Sequence, residues 1–472
     1  MQLEHAGSTA VAGLVAKPRL DVLLAVADSA DEPAYVPPLV EAGYVLRIRE
    51  PDWYEHRVFR RSDPDVNLHV FSSGCVEIER MLLFRDRLRA SREDRELYAR
   101  TKRELAAREW RSVQDYADAK SGVVEEILAR ALDLPPLLVL ERVRDFLDAR
   151  GLGAGPVRAK RIGEGGGSNF TFLLERDRGR YVLRRPPRPP LPPSAHDMVR
   201  EARLQLALAP LGIRVPTILA VCEDESLLGV PFYVMDYLDG RVITDDLPPG
   251  LDEPGRRRLG EDLVDTLVEI HSADVREPGL AAFVRPGSYL ERQVRRFSQL
   301  WEVNATRDLP AVGEVGRWLG EHLPEPLPPT VVHGDYRLGN TMVARDRPDR
   351  IVAVLDWELG AIGDPRADVG YLVATYTEPG GAPSPLGTSP VTAAPGFPSR
   401  AKLVERYAER SGRDVEPLGW FEALALWKAA VFCEAIYGRY LRGELTAGDT
   451  GASRFEAGVP LLADAAAAAL DR

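Results

Sequence analysis

The chain has few cysteines and no long apolar run, and each shortage excludes a class of protein. Its 472 residues contain three cysteines, Cys75, Cys222 and Cys433, which lie far apart and form no CxxC pair. A disulfide framework or a zinc site is therefore not expected, and a reducing compartment fits better. No apolar stretch approaches the roughly 20 residues of a membrane-spanning helix. The start lacks a basic segment followed by an apolar core, so we expect a soluble cytoplasmic protein with no membrane partner.

Basic residues are also fewer than acidic ones, which gives a formal net charge of −11. Proteins that bind nucleic acid normally carry a basic surface, so no nucleic-acid partner is expected. The sequence is 45% hydrophobic and 28% charged, which is typical of a globular protein with real cores. At this length two or three domains are expected rather than one.

A proline pair predicts the boundary between two units. Residues 80–111 place apolar residues at helical spacing beside an arginine-rich face, and residues 112–132 continue as helix. That face favours a solvated helix surface over a phosphate site. Pro135 and Pro136 end the helix, and a new helix begins at residue 137. The pattern therefore predicts domains over 1–132 and 138–472.

The second unit opens with the pattern of a nucleotide-binding lobe. Residues 160–177 predict a strand, a glycine-rich turn and a second strand, and the turn contains Gly165 and Gly166. Glycines let backbone N–H groups approach phosphate oxygens, although such a cluster can also be an ordinary hairpin turn. The next strand carries Arg184, and the helix after it carries Glu201.

Two acids and an amide follow at the ends of apolar strands. The stretch "VVHGDYRLGNTMVA" places Asp335 and Asn340 five positions apart on a short loop, and Asp356 ends the strand "RIVAVLDWE". One acid can take the proton of a hydroxyl group, while the amide and the other acid hold magnesium on ATP phosphates. Asp335 and Asn340 could instead bond only backbone groups in a turn. The whole series of features, in this order, favours phosphoryl transfer.

Residues from about 138 to 472 resemble the aminoglycoside phosphotransferase-like family, which is protein-kinase-like, and in particular the kinase domain fused to certain acyl-CoA dehydrogenases. "HGDYRLGN" is similar to the catalytic loop of that family, and "VLDWELGAIGDPRADVGYL" is similar to its metal-binding segment. The resemblance implies a bilobal fold, with an N-lobe at about 138–240 and a C-lobe at about 241–472. It also implies ATP and Mg²⁺ as cofactors.

The resemblance assigns roles to particular residues. It implies that Asp335 is the catalytic base and that Asn340 and Asp356 are magnesium ligands. The residues that it implies for nucleotide binding are Gly165, Gly166, Ser168, Asn169, Arg184, Glu201, Met235 and Tyr237. For Met235 and Tyr237 the alternative is ordinary core packing.

One position departs from the kinase pattern. Kinases place a lysine where this chain has Arg184, whose planar fork can clamp phosphates and pair with Glu201 but differs from an ammonium group. His333 is expected to shape the catalytic loop as a packed, hydrogen-bonded residue. Asp364 and Asp368 are expected to be structural acids that bond the same loop.

The expected acceptor is a small molecule with a hydroxyl group. Aminoglycosides are polycations and would need acids near Asp335, whereas residues 378–399 predict an uncharged surface loop. Residues 421–443 predict an apolar helix, either core or pocket wall, with Arg439 and Arg442 near its end. These features favour a hydroxy acid or hydroxyacyl-CoA, and the dehydrogenase-fused relatives act on hydroxylated acyl groups. The alternatives are an aminoglycoside-type phosphotransferase and a nucleotide-binding scaffold with little turnover.

The first unit has a resemblance of its own. "LEHAGSTAVAGLVAKPRLDVLLAV", with "NLHVF" downstream, resembles the GrpB family, whose fold is that of nucleotidyltransferases. GrpB proteins usually carry a further helical segment before this motif, so either the start is truncated or the unit is incomplete. The predicted fold class is therefore α+β, with a nucleotidyltransferase-like α/β module followed by a bilobal protein-kinase-like fold.

The GrpB resemblance implies a candidate nucleotide site. Its residues are Gly7, Ser8, Thr9 and Asp21. Active nucleotidyltransferases use paired acids to bind two metals, but here Leu23 stands where the second acid is usual. A lone carboxylate binds magnesium poorly. This favours a nucleotide-binding or structural role over transferase activity, which ranks third among the functions considered.

Overall fold

The computed structural model of the protein describes residues 2–17, 19–51, 53–72, 75–108, 113–131, 137–162, 169–187, 196–381, 384–441 and 451–470. The chain divides into two compact units. Unit 1 contains residues 1–136 and 436–456, and unit 2 contains residues 137–435 and 457–472. Both units mix helices with sheets, which confirms the α+β class. Every helix in the described ranges is too short or too polar to span a lipid bilayer.

Unit 1 is built around one mixed sheet. Its strands are β1 (Gln2–Ala6), β2 (Leu20–Val26), β3 (Val45–Glu50), β4 (His56–Ser62) and β5 (Asp65–Ser72). They lie in the order β1–β2–β5–β4–β3, with β2 and β5 parallel and the other neighbours antiparallel. The helices are α1 (Glu32–Glu41), α2 (Val76–Ala90), α3 (Arg92–Ala106) and α4 (Val113–Ala131). Because side chains alternate along a strand, one face of the sheet packs against α1 and the other against α2.

The prediction of one helix over residues 80–111 is wrong. Ser91 has extended backbone between α2 and α3, and its hydroxyl accepts the N–H of Asp94 at 3.2 Å. This is an N-cap contact, which starts a new helix instead of continuing the old one. The carboxylate of Asp94 is buried and lies 2.6 Å from both Arg87 and Arg130. Part of the arginine-rich face therefore binds a buried acid rather than solvent.

The N-lobe of unit 2 is a small antiparallel sheet with a helix on each face. Its strands are β6 (Arg158–Ile162), β7 (Phe170–Glu175), β8 (Arg180–Arg185), β9 (Ile218–Cys222) and β10 (Phe232–Asp236), in the order β6–β7–β8–β10–β9. Helix α5 (Leu140–Asp148) packs on one face of the sheet through Phe146 and Leu147. Helix α6 (Met198–Leu208) packs on the other face, against Val182 and Met235.

The rest of unit 2 is mostly helical and has short strands around the catalytic loop. The strands are β11 (Gly240–Val242), β12 (Thr330–Val332), β13 (Thr341–Ala344), β14 (Ile351–Val354) and β15 (Ala361–Gly363). They form the sheets β11–β13–β14 and β12–β15. The helices are α7 (Glu253–His271), α8 (Pro278–Ala281), α9 (Tyr289–Asn304), α10 (Pro310–Glu321), α11 (Arg366–Thr375) and α12 (Arg400–Ser411). Helices α13 (Leu418–Leu441) and α14 (Gly451–Leu470) follow in the chain.

Helix α13 resolves one alternative and corrects a neighbouring prediction. Its Trp420, Phe421 and Trp427 are buried together with residues of α9 and α10, so this part of the helix is core. Arg439 lies in its last turn, and Arg442 lies outside the described residues.

The loop at 378–399 is not simply a surface loop. Ser384 and Thr392 are buried and their hydroxyl groups donate to backbone carbonyls, that of Ser389 among them.

The contact between α11 and α13 requires glycine at position 370. A Cβ on Gly370 would lie 2.5 Å from the backbone carbonyl carbon of Phe421. Gly370→Ala should therefore lower the free energy of unfolding of unit 2 by about 1–3 kcal/mol. Gly313 in α10 is the matched control, because a Cβ there meets no described atom within 4 Å. Gly313→Ala should raise stability by about 0.5–1 kcal/mol. Denaturant unfolding of the full chain measures both, and equal midpoints would contradict this packing.

Candidate active site

The catalytic loop between β12 and β13 is held by one buried carboxylate. Asp368 of α11 accepts the backbone N–H of His333 at 2.6 Å and that of Gly334 at 2.7 Å. Nε2 of His271 lies 3.2 Å from the same carboxylate. Burial alone would raise the pKa of Asp368, but hydrogen bonding and the charge of His271 outweigh it and hold the pKa below the usual value. The prediction that Asp368 bonds the catalytic loop is confirmed.

The structure agrees with the prediction made for His333 but not with the one made for Asp364. His333 is fully buried, with Nε2 2.9 Å from the carbonyl of Leu355 and Nδ1 accepting the N–H of Asp335 at 3.2 Å. Its predicted role as a packed residue that shapes the loop is confirmed. The same prediction for Asp364 is wrong, because Asp364 forms an ion pair with Arg366 at 2.7 Å and does not bond this loop in the part of the chain described.

One oxygen of Asp335 is fixed and the other is left available. The side-chain amide of Asn340 donates to Oδ2 of Asp335 and to its backbone carbonyl, both at 2.8 Å. Oδ1 of Asp335 is buried and accepts no hydrogen bond of good geometry from a described residue, although the Tyr371 side chain interacts with this carboxylate. Nε of Arg337 lies 3.5 Å from this oxygen. Burial, and then the charge of Asp335, raise the pKa of Tyr371 well above its usual value. Oδ1 is therefore oriented to receive a donor such as a substrate hydroxyl.

Asp356 is placed beside Asn340 by the pairing of β13 with β14. The N–H of Leu355 donates to the backbone carbonyl of Asn340 at 2.8 Å. Asp356 then adopts the left-handed conformation, with φ 65° and ψ 61°. For a residue other than glycine this costs about 1–3 kcal/mol and is found most often at functional sites. The carboxylate of Asp356 and the amide oxygen of Asn340 are the kinds of ligand that Mg²⁺ prefers.

Arg184 joins the N-lobe sheet to helix α6 and to Asp356. Its Nε atom lies 3.2 Å from Oε1 of Glu201, and Nη2 lies 2.5 Å from Oδ1 of Asp356. Burial alone would lower the pKa of Arg184, but Glu201 and Asp356 raise it above the usual value. Glu201 is buried and also accepts the hydroxyl of Tyr233 at 3.0 Å. The neighbouring Arg185 donates to the backbone carbonyls of Leu137 and Pro186, which is a structural role.

Glu358 is a residue of this cluster that the sequence reasoning missed. Its carboxylate accepts the side-chain N–H of Asn169 at 2.9 Å and lies 4.0 Å from Nη2 of Arg184. Burial, and then the charge of Asp356, raise the pKa of Glu358 to about 7. The only feature of the sequence that could have indicated a site role for Glu358 is its position two residues after Asp356. In a sequence, however, an acid after a tryptophan is indistinguishable from a surface residue.

Only some of the other residues predicted to bind the nucleotide lie in the described part of the chain. Gly165, Gly166 and Ser168 lie outside the described residues. Met235 is buried opposite Val182, on the face of the sheet that packs against α6. Tyr237 follows β10, and the guanidinium of Arg180 lies 4.2 Å from its ring centre. The structure thus brings together Asn169, Arg184, Glu201, Asp335, Asn340 and Asp356, while Met235 packs in the core beside them.

The charges of this cluster fit a magnesium ion. Its carboxylates are Glu201, Asp335, Asp356 and Glu358, and the guanidinium groups that pair with them are Arg184 and Arg337. Negative charge is therefore in excess. Oε2 of Glu201 and Oδ1 of Asp335 are also buried without a hydrogen-bond partner among the described residues. A divalent cation held by Asn340 and Asp356 would offset this charge.

The candidate residues of unit 1 lie around the turn after β1. Gly7 has a positive φ of 66°, and a Cβ there would lie 2.4 Å from Oδ2 of Asp21, so only glycine fits against that carboxylate. The Ser8 hydroxyl accepts the ammonium N–H of Lys102 at 2.9 Å. The hydroxyl of Thr9 lies 3.0 Å from Nε2 of His5.

Comparison with protein families agrees with this geometry. The phosphotransferase enzyme family matches residues 159–420, which is more than half of the chain. The chain belongs to the phosphotransferase enzyme family. The GrpB protein family matches residues 1–130, so unit 1 carries a GrpB domain and unit 2 the phosphotransferase domain.

Individual relatives follow the same division. A UPF0157 protein of Halalkalibacterium halodurans is 65% identical over 131 residues, which cover 28% of this chain and 67% of that protein. Acyl-CoA dehydrogenase family member 10 of Mus musculus is 35% identical over 282 residues, which cover 59% of this chain and 26% of the mouse protein. The phosphotransferase domain thus corresponds to about a quarter of that relative's length.

A solved structure supports the fold of the phosphotransferase domain. A Ralstonia eutropha protein, provisionally assigned as an aminoglycoside phosphotransferase, superposes with a TM-score of 0.59 at 28% sequence identity. The match covers 70% of this chain and 98% of that protein. The predicted protein-kinase-like architecture of unit 2 is therefore confirmed.

Arg184→Met tests the ion pairs that join the two lobes. The variant would leave the buried carboxylate of Glu201 without its cation, and breaking a buried pair costs about 3–5 kcal/mol. The denaturant concentration at the midpoint of unfolding of unit 2 should therefore fall. Adding Glu201→Gln to the variant should recover a large part of the lost stability. Unchanged stability in the single variant would show that Arg184 does not compensate Glu201.

Proposed function

We propose that unit 2 is an ATP-dependent kinase that transfers the γ-phosphoryl group to a hydroxyl of a small anionic metabolite, a hydroxy acid or hydroxyacyl-CoA. The observation that carries this proposal is the geometry of Asp335. Asn340 holds one carboxylate oxygen, and the other is buried with no hydrogen-bond partner among the described residues. A hydroxyl group is the kind of ligand that completes this arrangement.

The chain's own residues would orient the reaction. The acceptor hydroxyl donates to Oδ1 of Asp335, which takes its proton as the new oxygen–phosphorus bond forms and the bond to the ADP leaving group breaks. Arg184, held by Glu201 and Asp356, would supply positive charge next to the phosphates. Asn340 and Asp356 would hold magnesium, which neutralises charge on the phosphates. Most of the catalysis then comes from positioning and electrostatics.

Charge near the catalytic base supports an anionic acceptor. Arg337 lies 3.5 Å from Asp335. Lys428 of α13 is half-buried, with its ammonium group 4.9 Å from the ring centre of Phe297. Burial lowers the pKa of Lys428 to about 8, and the charges of Asp368 and Asp335 oppose this shift. With a divalent cation offsetting the acids, these two cations would favour an acceptor with a carboxylate or phosphate group over one with ammonium groups.

The relatives support two acceptor classes. The name of the mouse relative, an acyl-CoA dehydrogenase family member, favours an acyl-CoA as the acceptor. The assignment of the Ralstonia eutropha protein favours an aminoglycoside. A screen of magnesium-dependent ADP release with hydroxy acids, hydroxyacyl-CoAs and aminoglycosides separates the two classes. If none of these compounds stimulates ADP release, unit 2 is better explained as a nucleotide-binding scaffold with little turnover.

Two substitutions separate the roles of base and metal ligand. Asp335→Asn keeps size and polarity but removes the proton acceptor, so turnover should fall by about 100- to 10,000-fold while affinity for magnesium–ATP stays near that of the parent. Asp356→Asn should lose turnover together with the magnesium dependence of ATP binding. Steady-state rates and ATP calorimetry with and without magnesium measure both effects.

The pattern of defects decides the assignment. An identical binding defect in the two variants would contradict the division between base and metal ligand. Full activity in both would overturn the kinase proposal itself.

Lys428→Met tests the charge of the acceptor. Loss of a hydrogen bond to a charged group costs about 1.5–3 kcal/mol, so KM for an anionic acceptor should rise by about 10- to 100-fold with little change in kcat. Lys402, exposed on α12, provides the control, and Lys402→Met should leave KM unchanged. A rise in KM that is equal for neutral and anionic acceptors would indicate a packing effect instead.

A further inference from the structure

The guanidinium of Arg184 is shared unequally between two carboxylates. Nη2 donates a charge-assisted hydrogen bond to Oδ1 of Asp356, 2.5 Å away. Nε lies 3.2 Å from Oε1 of Glu201, and the two charges attract each other. In the described part of the chain, however, Nε forms no hydrogen bond of good geometry. Arg184 is therefore held more closely by Asp356 than by Glu201.

The carboxylate of Glu201 is incompletely paired. Its Oε1 atom accepts the hydroxyl of Tyr233 at 3.0 Å. Its Oε2 atom is buried and has no hydrogen-bond partner within the described ranges. Arginine and a carboxylate pair most strongly through two parallel hydrogen bonds, which this position of the guanidinium does not provide. A position of the guanidinium closer to Glu201 would give partners to buried groups that have none here.

The main chain at Asp356 is fixed on both sides. The N–H of Leu355 is hydrogen-bonded to the carbonyl of Asn340. On the other side, Trp357 is fully buried, and its indole N–H donates to the carbonyl of Val354 at 3.0 Å. The guanidinium, at the end of a side chain with several rotatable bonds, is therefore the more mobile partner of the ion pair with Asp356.

A metal ion and Arg184 compete for the carboxylate of Asp356. The excess negative charge of the cluster attracts a divalent cation, but Oδ1 of Asp356 already binds the guanidinium. Mg²⁺ binds carboxylate oxygens at roughly 2.1 Å, so an ion on this carboxylate would lie close to a positive charge. Side-chain exposure is only 12% for Arg184 and 29% for Asp356, and partial burial strengthens the repulsion. A bare ion must displace the guanidinium without offering it a new partner.

A metal–ATP complex differs from the bare ion, because it carries its own hydrogen-bond acceptors. Phosphate oxygens match the planar fork of a guanidinium and accept hydrogen bonds from it. They can replace the bond that Arg184 loses when the metal takes Asp356. The second oxygen of Glu201 is available to the same guanidinium.

We propose that Arg184 makes the site selective for the metal–nucleotide complex. In the nucleotide-free protein it occupies Asp356 and weakens the binding of a bare divalent cation. When ATP binds, the guanidinium moves from Asp356 toward Glu201 and the phosphates. Metal and nucleotide then raise each other's affinity, because both favour the same position of the guanidinium. This inference rests on the proposed function in using Asp356 as a metal ligand, but it involves no step of phosphoryl transfer.

The binding of Mn²⁺ tests the proposal without turnover. Mn²⁺ takes the same oxygen ligands as Mg²⁺ and is detected by electron paramagnetic resonance. The double variant Arg184→Met, Glu201→Gln removes one positive and one negative charge, so the net charge of the site is unchanged. Without nucleotide, the full-length variant should bind Mn²⁺ about 10- to 100-fold more tightly than the parent, the factor expected for a hydrogen bond to a charged group.

Two further variants control this measurement. Arg180 is exposed at the start of the same strand and contacts the ring of Tyr237, so Arg180→Met should leave the Mn²⁺ affinity near that of the parent. Adding Asp356→Asn to the double variant should abolish the gain, which locates the ion at this carboxylate. If the double variant does not fold, Arg184→Gln, which keeps an N–H donor near Glu201, replaces it.

The coupling between metal and nucleotide provides a second readout. Calorimetry gives the factor by which Mn²⁺ raises the affinity for a non-hydrolysable ATP analogue. That factor should be smaller in the double variant than in the parent, since the variant has no guanidinium to displace. Formation of the metal–nucleotide complex in solution is the same for both proteins and cancels in the comparison.

The outcomes separate this proposal from the kinase proposal. Equal Mn²⁺ affinities of the parent and the double variant would overturn the role of Arg184 and leave the kinase proposal intact. A gain in affinity that survives Asp356→Asn would do the same, because the ion would then bind elsewhere. If Mn²⁺ has no effect on binding of the ATP analogue by the parent, Asp356 is not a metal ligand and both proposals fail.

Discussion

The site in unit 2 depends on one buried ion-pair arrangement centred on Arg184. Its guanidinium contacts Glu201 on α6 and Asp356 after β14, so a single side chain links the sheet, the helix and the segment that follows β14. A planar guanidinium can do this because its nitrogens point in fixed, different directions. A lysine ammonium would have to share one atom between the same carboxylates. Arginine at this position therefore fits the way in which both acids are held.

The same arrangement explains why the site suits a metal and a nucleotide. Arg184 compensates only part of the charge, because Glu358 also lies near Asp356 and near Asp335, and both carboxylates raise its pKa. Burial makes this repulsion stronger than it would be in water, and the raised pKa of Glu358 reports it. The arrangement is thus least stable when no additional cation is bound. Magnesium at the proposed site would relieve repulsion that the folded protein already contains.

Sequence reasoning identified the part of the site that is local in the chain. Asp335, Asn340 and Asp356 lie within short loops bounded by apolar strands, whereas Arg184 and Glu201 were assigned through the resemblance to kinases. Glu358 and Lys428 could not be identified in this way. Their roles arise from burial beside residues that are distant in sequence, and burial is a property of the tertiary structure. Asp364 was assigned wrongly for a different reason: its partner Arg366 lies in the same motif, but the motif does not show which group the acid contacts.

The errors in secondary structure have a similar origin. The pattern over residues 80–111 is helical throughout, and only the hydrogen bond of the Ser91 hydroxyl to Asp94 shows that a second helix starts there. The loop at 378–399 has the composition of a surface segment, but its hydroxyl groups bond backbone atoms and can be buried. In both regions the deciding interaction involves a small hydroxylated side chain, which composition does not distinguish from a solvated one.

Each unit has a carboxylate on or next to a strand of a sheet, and different groups neutralise its charge in the two units. In unit 2, Asp356 meets a guanidinium and oxygen ligands, which leaves negative charge that a divalent cation can offset. In unit 1, Asp21 meets Asn67, His69 and two lysines, so its charge is already offset and a metal would be repelled by the lysines. The loss of a second acid at Leu23 is consistent with this balance. A resemblance to a metal-dependent fold therefore does not carry metal dependence with it, because the charges around the remaining acid decide which ligand it can accept.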